Sequence, residues 1–303
     1  MPEPRGPLDT PHMLREPFVN PLLAVAALPG AHAYPLHSPS LGLPPAASAS
    51  GSLADLVRLM GVAPHDGAGA SQAARIPLRR LDEGSTLFLE GSRAHALYVL
   101  RCGSTKAVTI QEDGYEQVLA FQHSGDVLGF EGLYGALLPA SAVALEDSNV
   151  YVLPLAELPH LREACPVFTQ ALELAVSRQL LNAAATVGLM ASVASEARLA
   201  RFLLWWSARM AAVGRSTRSL HLRMCRRDIA SFLGLAHATV SRSFTALAEA
   251  GCLRVDNRDV ELLDFDMLRA RARTTRGAPG EAADALHDGI VAHHAPLAWP
   301  AAA

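Results

Sequence analysis

The sequence predicts an α+β protein in which one long helix joins a small β-roll to a C-terminal helical domain. Three observations favour this fold class. Short, glycine-punctuated β-rich segments follow one another between residues 76 and 154, a long helical period follows from residue 166, and two short helices with a tight turn lie within residues 226–251. A chain of 303 residues that is 50% hydrophobic can bury a core of this size and fits two domains.

The two ends of the chain show no sustained apolar period. Residues 1–52 are rich in Pro, Ala and Ser and residues 274–303 in Ala, Pro and His, so both are interpreted as flexible tails. The apolar run before Pro29 resembles the core of a signal peptide. However, its flank holds as many acids as bases, and Pro21 and Pro29 bracket only a short stretch. We therefore expect no export, no membrane span and a cytoplasmic protein.

Residues 53–165 have the pattern of a sensor-sized β domain. A short helix is expected from Leu53 to Met60, and five or more short strands follow up to Pro154. Asp113-Gly114 separates two of these strands and is typical of a hairpin turn. Regular strands with turn signals at this spacing indicate a sandwich or a barrel-like roll.

A long helix is predicted for residues 166–194, where no proline follows Pro166 and apolar residues recur in steps of three and four. This near-heptad seam favours pairing with a second copy of the chain, and hence a homodimer. A core helix packed against its own β-roll would give the same pattern, above all in its first turns. The predicted dimerisation residues are Leu172, Val176, Leu180, Ala183, Val187 and Met190.

Residues 195–273 carry a helix-turn-helix pattern. Gly234 allows the turn, and Val240, Phe244 and Leu247 recur at helical spacing in the second helix. An ordinary helical hairpin would show the same apolar spacing. DNA binding is favoured because polar side chains able to reach bases and phosphates begin the second helix, namely His237, Thr239, Ser241 and Arg242.

The charge distribution supports this interpretation. The formal net charge is -3, but residues 195–276 hold fifteen Arg against eight Asp or Glu. A basic excess of this kind is what contacts to DNA phosphates require. Arg226 and Arg227, which begin the first helix of the motif, are predicted phosphate contacts, although a solvated basic face would look the same.

Four segments resemble the CRP/FNR family of bacterial transcription regulators: residues 103–106 (G-S-T-K), 123–130 (H-S-G-D-V-L-G-F), 196–203 (E-A-R-L-A-R-F-L) and 238–242 (A-T-V-S-R). The resemblance covers about residues 53–270 and is closer to the FNR branch. It implies a cyclic-nucleotide-binding-type β-roll, a dimerisation helix and a winged helix-turn-helix. It also implies double-stranded DNA and RNA polymerase as partners, a guanine contact from Arg242, and phosphate contacts from wing residues Arg254 and Arg258.

The family's two best-known effector sites are not expected here. Phe130 and Ala140 stand where the cyclic-AMP branch has its ribose glutamate and phosphate arginine, and no Lys or Arg lies between Lys106 and Arg162. The iron–sulfur branch needs about four thiolates, yet the first 101 residues lack cysteine and Tyr151 replaces the ligand in the roll. The effector is therefore left unknown.

Two further hypotheses remain open. Ala238 replaces the glutamate with which the family reads a base, so the rival function is a ligand-gated interaction module without specific DNA recognition. Cys225 precedes two arginines at a predicted helix start and is a candidate redox site, although packing under the motif is the simpler explanation. No catalytic or metal-binding motif is found, and an enzyme is not expected.

Overall fold

The structure, a computed structural model, describes residues 49–63, 74–191 and 194–273. The predicted tails lie outside these ranges, except for the last few residues of the first. That boundary, placed at residue 52, is wrong because Ser50–Ser52 forms strand β1, which pairs antiparallel with residues 75–77. Ser52 also caps the following helix, since its hydroxyl oxygen accepts a hydrogen bond from the Asp55 N–H at 3.0 Å.

The predicted β-roll is confirmed as two antiparallel sheets. After β1, its strands are β2 (Arg75–Leu81), β3 (Thr86–Phe88), β4 (Ala96–Cys102), β5 (Ser104–Ile110), β6 (Glu116–His123), β7 (Val127–Leu128), β8 (Ser141–Ala144) and β9 (Ser148–Pro154). One sheet has the order β1-β2-β9-β4-β7 and the other β3-β8-β5-β6. Gly114, at φ +80°, makes the predicted turn between β5 and β6, and its N–H donates to the Gln111 carbonyl at 2.9 Å.

Among the described residues, three α-helices accompany the roll: α1 (Leu53–Leu59), α2 (Leu158–Ala164) and the long helix α3 (Pro166–Met190). α3 ends four residues earlier than predicted, and Ala194 already stands at the N-cap of the next helix. Its first turns pack on the roll, where Phe168 and Leu172 are buried with Leu53 and Leu56 of α1. Leu172 is only 1% exposed, so its assignment to a dimer face is wrong, because this turn belongs to the core of its own chain.

The second half of α3 is different. Val176 is partly buried against the roll core, whereas Ala183 is exposed, together with Leu180 (61%), Val187 (72%) and Met190 (37%). These side chains form an apolar surface along the helix that the described residues do not cover. The predicted pairing with a second copy concerns this surface alone.

The C-terminal part is a winged helix-turn-helix domain. Its elements are α4 (Ser195–Ala212), β10 (Ser219–His221), α5 (Arg226–Leu233), α6 (His237–Glu249), β11 (Leu253–Asp256), β12 (Asp259–Leu262) and α7 (Phe265–Ala272). Gly234 takes the left-handed conformation at φ +61° and ends α5, as the sequence predicts. Strands β10, β12 and β11 form a small antiparallel sheet beside the motif. Over the described ranges, no helix has both the length and the apolarity to cross a bilayer.

Candidate nucleic-acid interface and roll cavity

Helix α6 presents the predicted base-reading residues at its first two turns. His237, Ala238 and Arg242 are exposed, while Thr239 and Ser241 are half-buried. The opposite side of the helix is held in the core by three buried apolar residues, Val240, Phe244 and Leu247. Within the helix, Arg242 Nη2 donates to Thr239 Oγ1 at 3.2 Å, which holds the guanidinium over the same surface.

The two arginines at the start of α5 have different environments. Arg227 is exposed. Arg226 stacks on the Phe244 ring, with its Cζ atom 3.4 Å from the centroid, and donates to the Asn257 carbonyl at 3.0 Å. Burial lowers the pKa of the Arg226 guanidinium. Arg226 therefore joins α5 to α6 and the wing, a structural role that its sequence position did not reveal.

The predicted wing residues lie on the β11–β12 hairpin. Arg254 is exposed and pairs with Glu261 at 2.8 Å. Arg258 follows Asn257, which has a φ of 52° at the turn, and is half-buried. Both side chains lie on the hairpin where a wing would approach a DNA backbone.

Much of the local arginine excess serves internal contacts rather than a DNA-facing surface. The sequence-based interpretation, which took the basic excess as support for phosphate contacts, therefore included arginines that are held within the chain. The arginines with intrachain carbonyl or carboxylate partners include Arg198, Arg201, Arg209, Arg218, Arg223, Arg269 and Arg271.

The helix-turn-helix domain is docked on the β5–β6 hairpin of the roll. The Phe121 ring of β6 lies 5.0 Å from that of Phe232 in α5 and contacts Trp206 of α4 edge-on. Ser231 of α5 adds two hydrogen bonds to this contact. Its hydroxyl accepts from the Val118 N–H and donates to the Glu116 carbonyl, both at 2.8 Å. The domain core thus includes residues of the roll.

Two buried ion pairs reinforce the docking. Lys106 of β5 pairs with Asp228 of α5 at 2.8 Å, and Arg209 of α4 pairs with Asp126 at 2.5 Å. Arg209 Nε also donates to Nε2 of His123 at 3.0 Å, while the other ring nitrogen of His123 lies 2.9 Å from the Ser124 carbonyl oxygen. Burial lowers the pKa of His123 to about 4, so this imidazole is neutral and accepts from the arginine.

A cavity of about 210 Å³, the roll cavity, lies between the roll, α3 and α4. Phe130 and Ala140 line it, as does Glu131, whose carboxyl pKa is raised by burial. Among the described residues, the one cation in the lining is Arg209, which is already paired with Asp126. These residues do not fit a cyclic phosphate. The lining instead offers amide side chains and the indole of Trp205, whose Nε1 has no hydrogen-bond partner in the part of the chain described.

The four cysteines are all free. Cys102 ends strand β4, and the other three lie just outside helices or strands in separate parts of the fold. Cys165 and Cys252 are buried and Cys102 is exposed, and no group of three or more potential metal ligands forms among the described residues. This arrangement does not fit an iron–sulfur cluster, and Tyr151 is fully packed in β9. Cys225 is exposed at the N-cap of α5, and its backbone N–H donates to Asp228 at 2.9 Å. Its redox role stays a prediction.

Comparison with known proteins agrees with this architecture. A cyclic nucleotide-binding domain model matches residues 78–165 and a Crp-like helix-turn-helix domain model matches residues 197–271. The transcriptional regulatory protein Btr of Bordetella pertussis is 35% identical over 190 residues, which span 63% of this chain and 78% of that protein. The chain belongs to the CRP/FNR family.

Other CRP/FNR relatives match over a similar extent. The fumarate and nitrate reduction regulatory protein of Salmonella typhimurium is 34% identical over 65% of this chain and 78% of its own length. In fold, the chain resembles FixK2 from Bradyrhizobium japonicum, with a TM-score of 0.58 and 24% identity over 67% of this chain and 99% of that one. The chain is therefore a transcription regulator of the CRP/FNR type, with a helix-turn-helix DNA-binding domain.

Proposed function

We propose that this CRP/FNR regulator binds a palindromic promoter site as a homodimer, in response to a signal other than cyclic AMP or an iron–sulfur cluster. The observation that carries the DNA-binding part is the exposed start of α6, where Arg242 and its polar neighbours stand on a rigidly packed helix. The two family models, which cover the roll and the helix-turn-helix in that order, support the same function.

Each residue of the interface has a distinct role in this proposal. Arg242 donates two hydrogen bonds to a guanine in the major groove, the commonest specific contact to a base. Ser241, Thr239 and His237 contact neighbouring bases or phosphates. Arg227, Arg254 and Arg258 contact phosphates, which position the protein without reading sequence. Arg226 adds to the phosphate contacts only as far as its stacking on Phe244 allows.

The homodimer follows from the geometry of two-fold DNA sites. Two recognition helices one DNA turn apart read the two halves of a palindrome. The exposed apolar surface of the second half of α3, from Leu180 to Met190, is the expected contact between the two copies. RNA polymerase is the partner we expect at the promoter, and the cytoplasm is the expected compartment.

Selection from a random double-stranded DNA library by the purified full-length protein tests the proposal. We expect enrichment of a palindrome with half-sites about one helical turn apart. Arg242→Ala should relax one position in each half-site, whereas Arg162→Ala on α2, exposed and distant in sequence from the motif, should enrich the same site as wild type.

The rival function, an interaction module without specific DNA recognition, is not favoured, because a Crp-like helix-turn-helix domain model matches residues 197–271 and the relatives are transcription regulators. Ala238 is exposed at the start of α6, where the family resemblance would place a base-reading glutamate. Failure of the library to converge on any sequence, with only salt-sensitive uniform binding, would support this module and contradict the proposed function.

A further inference from the structure

A second cavity, the arginine cavity, shares Arg209 and Asn182 with the roll cavity and is otherwise lined by different residues. It has a volume of about 460 Å³, within the usual range for small-molecule sites. Its walls are α1, the β6–β7 turn, α3 and the end of α4. Ala140 and Phe130, which stand at the family's nucleotide-binding positions, line the roll cavity and not this one.

The lining of the arginine cavity contains more positive than negative side chains. Three arginines, Arg58, Arg178 and Arg209, face two carboxylates, Asp55 and Asp126. Arg58 pairs with Asp55 at 3.0 Å on the outer rim, where both side chains are more than half exposed. Arg209 is buried and holds Asp126. His123 adds no charge, because burial keeps its imidazole neutral at ordinary pH. The described lining therefore carries one positive charge that no carboxylate of the lining balances.

That charge is the guanidinium of Arg178 on α3. Within residues 49–63, 74–191 and 194–273, no hydrogen bond or ion pair holds it. Asp126 attracts it through space, but Arg209 already binds that carboxylate and repels Arg178. Burial lowers the pKa of the Arg178 guanidinium. A desolvated guanidinium without hydrogen-bond acceptors is unfavourable unless a partner accepts hydrogen bonds from it.

The backbone nearby leaves space for this guanidinium. Gly61, at φ +95° just after α1, has no side chain, and a Cβ atom there would lie 2.7 Å from Arg178 Nη1. A larger residue would push the guanidinium out of its position. The local structure therefore keeps a cation at the cavity wall, and no carboxylate of the described residues forms an ion pair with it.

We propose that the arginine cavity binds a small organic anion whose carboxylate or phosphate group is held by Arg178. The planar fork of an arginine suits both groups, because it offers two parallel donors to two oxygens. Asn182 and Ser124 also line the cavity and provide polar side chains for the rest of the ligand. The binding group is thus anionic, and the experiment decides between its two forms.

The location of the site suggests a role in regulation, which rests on the proposed function. Arg178 belongs to the long helix, Arg58 to α1 and Arg209 to the first helix of the DNA-binding domain. An anion in the cavity would contact all three parts of the chain and favour the docked arrangement of the two domains. Binding of the anion itself requires no DNA, so it is tested separately.

Isothermal titration calorimetry on the full-length protein in a low-chloride buffer tests the site, with inorganic phosphate, glycerol 3-phosphate and succinate as probes. We expect saturable binding of at least one probe. Arg178→Gln should weaken it about tenfold or more, as removal of a charge-assisted hydrogen bond does. Arg178→Lys should bind with intermediate affinity, because it keeps the charge but not the fork, and Arg162→Gln on the α2 surface should bind like wild type.

The outcomes separate the possibilities. Phosphates alone, succinate alone, or both kinds of probe binding through Arg178 would each support the site and identify its chemistry. The thermal midpoint of Arg178→Gln should not fall below that of wild type, since the variant removes a partly buried charge that has no hydrogen-bond partner among the described residues. Absence of binding by the wild type for all three probes, or unchanged affinity in both Arg178 variants, would overturn the proposal. Neither result depends on whether the protein recognises specific DNA.

Discussion

The helix-turn-helix and the roll cavity differ in how far they keep the chemistry of their family. The start of α6 retains the exposed polar set that ends in Arg242, whereas the roll cavity has Phe130 and Ala140 in place of the nucleotide-binding pair. DNA presents the same phosphates and base edges to every regulator, but an effector pocket needs to match only its own ligand. One chain can therefore keep a conventional DNA-binding surface, which is its output, and carry a different effector pocket, which is its input.

The two regions are nevertheless one packed structure. Phe121 of the roll lies in the aromatic core of the DNA-binding domain, and Arg209, Asp126 and His123 form a buried polar cluster between them. The roll therefore contacts α4 and α5 of the DNA-binding domain directly. The five predictions below test the DNA-binding output, the effector input and this connection.

The largest effect is expected from Val187→Asp on the exposed surface of α3. Pairing of two copies through α3 would bury one carboxylate from each copy, and this should prevent the dimer from forming. Without the second half-site, operator binding should weaken by more than about a hundredfold. Sedimentation velocity and gel shift measure the two effects, with Gln170→Asp near the start of the same helix as control. A monomeric variant that still binds the palindrome as tightly as wild type would contradict the dimer proposal.

His123 tests the connection between the domains. Its pKa falls from 6.5 to about 4 on folding, so the unfolded chain binds more protons between these values. The free energy of unfolding should be highest above pH 6.5 and fall towards pH 4, by up to roughly 3 kcal/mol from this residue. Asp126 favours the protonated form and Arg209 and Arg178 oppose it.

Urea unfolding of wild type and His123→Gln across this pH range isolates the contribution. Glutamine keeps an acceptor for Arg209 Nε but does not titrate, and the carboxylates titrate equally in both proteins. The variant should therefore lose less stability than wild type between pH 6.5 and 4. Parallel curves for the two proteins would show that His123 is not the neutral acceptor described here.

Arg242→Ala sharpens the assignment of the output surface. Removal of a bidentate hydrogen bond to guanine should cost about 1–3 kcal/mol of discrimination at one position of each half-site. Competition gel shifts with operators altered at single positions measure this cost. Arg269→Ala, which removes an exposed arginine paired with Asp266 on α7, serves as control. Equal discrimination by wild type and Arg242→Ala would transfer base reading to other residues.

The smallest expected effects distinguish the roles of the two arginines at the start of α5. Arg227→Gln should lower affinity on all sequences and reduce the slope of log affinity against log salt by about 0.9 for each phosphate that is no longer neutralised. Arg226→Gln should instead lower the thermal midpoint, because it removes the stacking on Phe244 and the hydrogen bond to Asn257. Salt titrations and thermal melts of both variants provide the comparison, and an exchange of the two patterns would reverse the assignments.

Local features made the fold and the recognition helix predictable from sequence. The turn at Asp113-Gly114 and the left-handed Gly234 depend on neighbouring residues alone, and the apolar spacing of α6 is independent of the rest of the chain. Leu172 was misassigned because a helix packed on a sheet and a helix packed on its own copy share one apolar period.

The contacts that connect the domains were not predictable in this way. Lys106 and Asp228 are 122 residues apart, and no local pattern links them. Arg178 is the one basic residue in the sequence of α3. Only the fold brings it close to Gly61, Asp126 and Arg209. Likewise, counting arginines near the motif could not separate the buried Arg209 from the exposed Arg227, because the count ignores which face of a helix each residue occupies.

The most direct test of the contrast between output and input is a titration of the selected operator with the purified protein, with and without cyclic AMP. A conventional helix-turn-helix, joined to a roll cavity whose described lining residues include no unpaired cation, predicts the same operator affinity in both conditions and the same preference over scrambled DNA. Tightening of operator binding by about tenfold or more on addition of cyclic AMP, a change of about 1.4 kcal/mol, would contradict it.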